Sequence, residues 1–111
     1  MTDDEPLRRG DVVVAHIAAA RGVEIRKQRP YVVVSPDDQN AAGLAYILVP
    51  MTTGAHPYHF RVACALGGRQ GHAVIEQVRM VDASRVRQRV GRLPPATTRQ
   101  ILTRLREMFE E

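Results

Sequence analysis

The stretch Gly22-Val23-Glu24-Ile25-Arg26-Lys27-Gln28-Arg29-Pro30-Tyr31-Val32-Val33-Val34-Ser35 sets the architecture. It joins a charged turn to a β-branched run, with a proline at the boundary. Pro30 has no N–H to give to a ladder and suits the first position of a strand. Tyr31 to Val34 are four consecutive apolar β-formers with no polar face, so they read as a fully buried strand. The proline biases Arg29 toward extended backbone, which fixes where its guanidinium leaves the strand. A guanidinium held this way, with Glu24 in the preceding loop, suits phosphate chemistry, since it matches two oxygens at once and keeps its charge. The same residues would also serve as a basic loop with an ordinary Arg–Glu surface pair.

Outward from this stretch the chain alternates short β-runs with turn signals. Residues 1–8 are polar and read as a frayed arm. Asp11 to Ile17 is the first strand, rich in β-branched Val12, Val13 and Val14. After the second strand, Pro36-Asp37-Asp38-Gln39-Asn40 reads as a turn or one helical turn. Tyr46 to Val49 is a third buried strand closed by Pro50, and Met51 to Tyr58 a solvent-facing loop. Phe60 to Ala65 and His72 to Val78 are further strands around a Gly67-Gly68 turn. Val81 to Arg85 is a short turn with Asp82 as its cap, and Val86 to Val90 alternates as an edge strand. Pro95 opens a helix to about Phe109, with Ile101, Leu102, Leu105, Met108 and Phe109 as its apolar stripe. The fold class is mainly β with a C-terminal helix: a small bent sheet or barrel capped by that helix.

A length of 111 residues fits one domain spanning 1–111. Net charge is +4, and every basic residue except Lys27 is arginine. Such a surface favours polyanions, although arginine usage also follows genome composition. Cys64 is the only cysteine, so no intrachain disulfide forms, which suits a reducing cytoplasm. The acidic N-terminus lacks the apolar core of a secretory signal. The longest uncharged run, Gln39 to His59, is broken by glycines and prolines and cannot cross a membrane as one helix.

Five ordered pieces carry a family resemblance. They are Arg9-Gly10-Asp11-Val12-Val13, the Gly-x-Glu-x-x-x-x-Arg-Pro pattern at 22–30, Val49-Pro50-Met51-Thr52-Thr53, Glu76-Gln77-Val78-Arg79-Met80-Val81-Asp82, and Gly91-Arg92-Leu93-Pro94-Pro95. Together they resemble the MazF/PemK/Kid family of toxin endoribonucleases, from Arg9 to Phe109. The resemblance implies an SH3-like small barrel, a homodimer, and cleavage of single-stranded mRNA without metal or cofactor. It also implies a cognate antitoxin whose acidic, partly disordered tail occupies the RNA groove.

Metal-free RNA cleavage needs an acceptor for the 2′-OH proton, positive charge on the phosphorane, and a proton for the leaving 5′-oxygen. By resemblance, Arg29 and Thr52 act in cleavage and Glu24 is the candidate general base. Arg26, Lys27, Thr53, His59, Glu76, Gln77 and Arg79 are the expected RNA contacts. Thr52 could instead cap its own turn, and Gln77 could be purely structural. His56-x-x-His59 lacks a third ligand at metal-site spacing, so a zinc site is not expected. His16 and His59 could form an acid–base pair.

The chain departs from the family pattern at Val14, where tryptophan is common, at Ala18-Ala19-Ala20, and at Val23, where some relatives have histidine. Pro94 replaces a capping serine. With no tryptophan, base stacking would fall to Tyr58, Phe60 or arginine planes. Two rival functions share the barrel: a gyrase-inhibiting toxin, and a catalytically silent module that binds RNA or antitoxin.

Overall fold

The computed structural model describes residues 5–17, 29–54 and 56–111. Glu24, Arg26 and Lys27, together with Ala18 to Ala20 and Val23, lie outside the described residues. The strands are β1 (Asp11–Ala15), β2 (Arg29–Val33), β3 (Ala45–Thr52), β4 (Val62–Leu66), β5 (Arg69–Ala73), β6 (Arg79–Asp82) and β7 (Val86–Arg92). Two α-helices, α1 (Asp37–Ala42) and α2 (Pro95–Met108), complete the described elements together with two short 3-10 turns. The sheet order is β4-β5-β3-β2-β1-β7, with β6 also paired to β3.

The apolar runs make sense because this sheet is covered on both faces. Val12, Val32, Val49, Met51, Ile75, Leu93 and Ile101 belong to one buried cluster. Val13, Tyr31, Val33, Leu48 and Val81 belong to the other. Alternate residues of one strand therefore enter different cores, and a polar residue would be stranded on either side.

Two register shifts in the β1–β7 ladder, after Val12 and after Val14, bend it strongly. The bend brings the ends of the strand order together. Leu66 Cδ1 on β4 lies 3.0 Å from where a Cβ on Gly91 of β7 would sit. The sheet is thus nearly closed into the small barrel expected from the sequence, with α2 packed beside β4.

Several boundaries differ from expectation. β3 does not stop at Pro50 but runs on to Thr52. The run His72 to Val78 is not one strand: β5 ends at Ala73, and Ile75–Gln77 is a 3-10 turn. On α2, Ile101 is fully buried and Leu102 and Leu105 are half-buried, whereas Met108 at its last position and Phe109 just beyond are exposed. Pro94 gives α2 no side-chain cap, and Asp82 does cap its turn, accepting from Ser84 N–H at 2.9 Å.

Asp11 is fully buried and holds the closing ladder. Its carboxylate accepts from Arg8 N–H at 2.8 Å, Arg92 at 2.8 Å and Arg89 at 3.3 Å. Ser35 and Asn40 do similar work at α1. Asn40 Nδ2 donates to the Ser35 carbonyl at 2.9 Å, and Ile47 N–H donates to Ser35 Oγ at 3.1 Å. Asp11→Asn keeps the shape but removes charge from these bonds. It is expected to lower stability by about 2 kcal/mol, seen as a lower urea midpoint at unchanged slope.

Candidate active site

The site is built on β3, which changes partner on one flank. Ala45 to Leu48 pair with β6, while Met51 and Thr52 pair with β5. Pro50 sits between these two ladders, where its missing N–H interrupts neither. Its carbonyl still accepts from Val74 N–H at 2.8 Å. On the other flank β3 pairs with β2, with Tyr31 opposite Pro50. Carried two residues further, that register sets Arg29 level with Thr52. Across the other ladder, Thr52 lies directly opposite His72. Arg29, Thr52 and His72 therefore follow one another across β2, β3 and β5, with Thr52 and His72 about 5 Å apart as ladder partners.

All three line a single cleft of about 480 Å³, with Pro30, Met51, Thr53, Cys64, Leu66, Arg69 and Gly71. Its described lining holds two guanidinium groups, two threonine hydroxyls and an imidazole, but no carboxylate. Such a set attracts and orients anions. Thr52 Oγ1 donates to the Thr53 carbonyl at 3.1 Å, a local bond that an arriving phosphate oxygen could replace. Burial pushes the Cys64 thiol pKa up, although a backbone hydrogen bond at Ala73 works against it. Burial likewise raises the Tyr31 phenol, against the opposing charges of Arg79 and Arg29.

Close approach of β5 to Thr52 depends on Gly71. A Cβ there would lie 2.3 Å from the Thr52 carbonyl oxygen and 3.2 Å from Thr53 Cα. No side chain fits, so glycine sets the position of the threonine pair.

The remaining candidates are divided. Thr53 joins the cleft, and Arg79 on β6 stands opposite Leu48 of β3. His59 and Glu76 line a different hollow, with Phe60, Arg104, Glu107 and Met108. The Glu76 carboxylate is taken by Arg61, whose Nε lies 3.1 Å from Oε2 and whose Nη2 completes a second bond. Arg61 also donates to the His56 carbonyl at 3.0 Å, so Glu76 holds the 56–61 segment to the 3-10 turn. Hydrogen bonds from Arg61 hold the Glu76 pKa below its usual range. Gln77 is exposed at the end of that turn. Tyr58 and Phe60 stack on each other with centroids 5.1 Å apart, and Arg61 lies over Tyr58. Their facing surfaces are thereby already occupied.

The histidine in the cleft is His72, neither His16 nor His59. Nothing in the local sequence Gln70-Gly71-His72-Ala73 marks it. Only its register with Thr52, 20 residues earlier, does so. Among the described residues, no three His, Cys, Asp or Glu side chains gather as metal ligands. No described helix is long and apolar enough to cross a membrane.

Fold and cleft define an anion-binding barrel. A family model for the PemK-like, MazF-like toxins of type II toxin–antitoxin systems matches residues 8–109, and the chain belongs to that family. It is 30% identical to Endoribonuclease MazF9 of Mycobacterium tuberculosis (strain ATCC 25618 / H37Rv), over 86% of this chain and 89% of that protein. The fold matches crystalline MazF (Form-I) from Deinococcus radiodurans with a TM-score of 0.80 at 23% identity, covering 95% and 97% of the two chains. It also matches an endoribonuclease in complex with its cognate antitoxin from a mycobacterial species, at TM-score 0.74 and 20% identity, over 91% and 92% of the chains.

Two outcomes follow from this geometry. Gly71→Ala forces the Thr52 backbone aside; stability should fall by about 1–3 kcal/mol and the Thr52 and Thr53 amide resonances should move. Glu76→Gln loosens the 56–61 segment. Because the folded carboxyl titrates below its unfolded value, its contribution is fully present above about pH 4.3. It is lost as pH falls through the depressed folded value. Melting curves of wild type and Glu76→Gln should therefore differ at pH 7 and converge in acid.

Proposed function

We propose that this chain is a sequence-specific, metal-independent endoribonuclease toxin acting on single-stranded mRNA and neutralised by a cognate antitoxin. The observation that carries the reading is the convergence of Arg29 and Thr52 in a cationic cleft whose described lining has no carboxylate. The 2′-oxygen attacks the adjacent phosphorus, the bond to the 5′-oxygen breaks, and the products carry a 2′,3′-cyclic phosphate and a 5′-OH. Charge accumulates on the non-bridging oxygens in the transition state. Arg29 answers it with a guanidinium that needs no proton transfer, and Thr52 with a hydroxyl hydrogen bond. Glu24 takes the 2′-OH proton. Arg26, Lys27, Thr53 and Arg79 bind the flanking RNA, while His59, Glu76 and Gln77 contribute from the neighbouring surface.

The toxin is a cytoplasmic, single-domain protein that works as a homodimer. Exposure of Leu44, Met80 and Phe109, each more than two-thirds accessible in the single chain, supports that assembly. The antitoxin presents an acidic segment that competes with RNA for the cleft. Likeness to a mycobacterial endoribonuclease held by its cognate antitoxin supports this pairing.

The test is incubation of purified protein with a long single-stranded RNA in EDTA, mapping cut positions and end chemistry. Discrete cuts with 5′-OH ends are expected. Arg29→Ala and Thr52→Ala should each slow them by about 10²-fold or more, the scale seen when one charge-stabilising donor is removed. Intact RNA after incubation with folded, dimeric wild type on diverse sequences would overturn the reading.

A further inference from the structure

Arg29 and Thr52 answer the charge on the phosphorane, and Glu24 the attacking hydroxyl. None of them provides a proton for the departing 5′-oxygen. A guanidinium does not release its proton, and an aliphatic hydroxyl is too weak an acid. The burial that pushes the Cys64 thiol up makes it a poor source as well. Imidazole is the one side-chain type in the described lining that both gives and takes a proton near neutral pH.

We propose that His72 is the general acid of the cleft, placing its proton on the 5′-oxygen as the P–O5′ bond breaks. Two observations converge on it. The first is position: His72 stands directly across the β3–β5 ladder from Thr52, and the β2–β3 register, continued two residues beyond its Tyr31–Pro50 pair, places Arg29 on the opposite flank of the same threonine. Attacking and leaving oxygens sit in line on opposite sides of phosphorus, so a phosphate centred at Thr52 turns one apical oxygen away from Arg29 and toward His72. The second is an unmet valence: His72 Nδ1 is buried and has no hydrogen-bond partner among the described residues. No described carboxylate holds this ring, and a buried nitrogen left unbonded is costly, so no described bond fixes the ring against turning toward a substrate.

The step balances. A bond forms between the 2′-oxygen and phosphorus while the 2′-OH proton passes to the base. The P–O5′ bond breaks, its electron pair stays on the 5′-oxygen, and the imidazolium proton neutralises it. The neutral imidazole is reprotonated from solvent.

This inference rests on the ribonuclease reading, and the experiment separates the two. A short RNA with one cut site is compared with the same RNA carrying sulfur in place of the bridging 5′-oxygen, a leaving group that departs without protonation. Wild type should cut both. His72→Gln should cut ordinary RNA about 10²–10⁴-fold more slowly, yet cut the sulfur-bridged RNA at close to the wild-type rate. His72→Asn should behave alike, and rescue by the sulfur substrate would itself show that both variants are folded. Undiminished cleavage of ordinary RNA by the variants would overturn the assignment. So would a loss that is equally large on the sulfur substrate, since that marks misfolding or a role other than acid. Wild type inert toward both RNAs would sink the ribonuclease reading together with this one.

Discussion

The rest of the molecule depends on the way β3 serves two ladders along one edge. A strand can satisfy only one neighbour per flank at any position, so β6 must end before β5 begins. The changeover falls at Pro50, the one residue of β3 with no donor to lose. Everything chemical lies just beyond it. Thr52 is carried into the cleft because the strand continues past the proline, and β5 can lie against it because Gly71 has no side chain in the way.

Charge is partitioned with the same economy. Two acidic side chains hold structure together: Asp11 closes the β1–β7 ladder through Arg89 and Arg92, and Glu76 locks Arg61. Neither reaches the cleft. The result is a basic protein in which Asp11 and Glu76 are engaged in architecture, while Arg29 and Arg69 share a lining with no described carboxylate.

Much of the fold was legible because its physics is local. Val12 to Val14 and Tyr31 to Val34 are unbroken β-branched or aromatic runs, and only a sheet buried on both faces accommodates them. Pro95 announced α2. What escaped notice depended on partners far away in sequence. Pro50 looked like a stop because nothing near it reveals that its flank is vacated by β6. His72 to Val78 looked continuous because no glycine or proline breaks it, whereas the chain must turn at Ile75–Gln77 to pass from β5 to β6. Met108 and Phe109 keep helical spacing but fall at the exposed end of α2. For the site, Arg29 and Thr52 came from the pattern of the chain and the family it resembles. His72 did not, since its place beside Thr52 is a fact of strand register that no short window contains.

The Asp11-centred closure also governs when the cleft can be assembled. β1 is made first and β7 nearly last, and the barrel is shut only when the two pair. A chain emerging from the ribosome holds Arg29, Thr52 and His72 long before residues 86–92 exist to complete the sheet that aligns them. The cleft is therefore complete only after translation has delivered the final strand and the helix behind it.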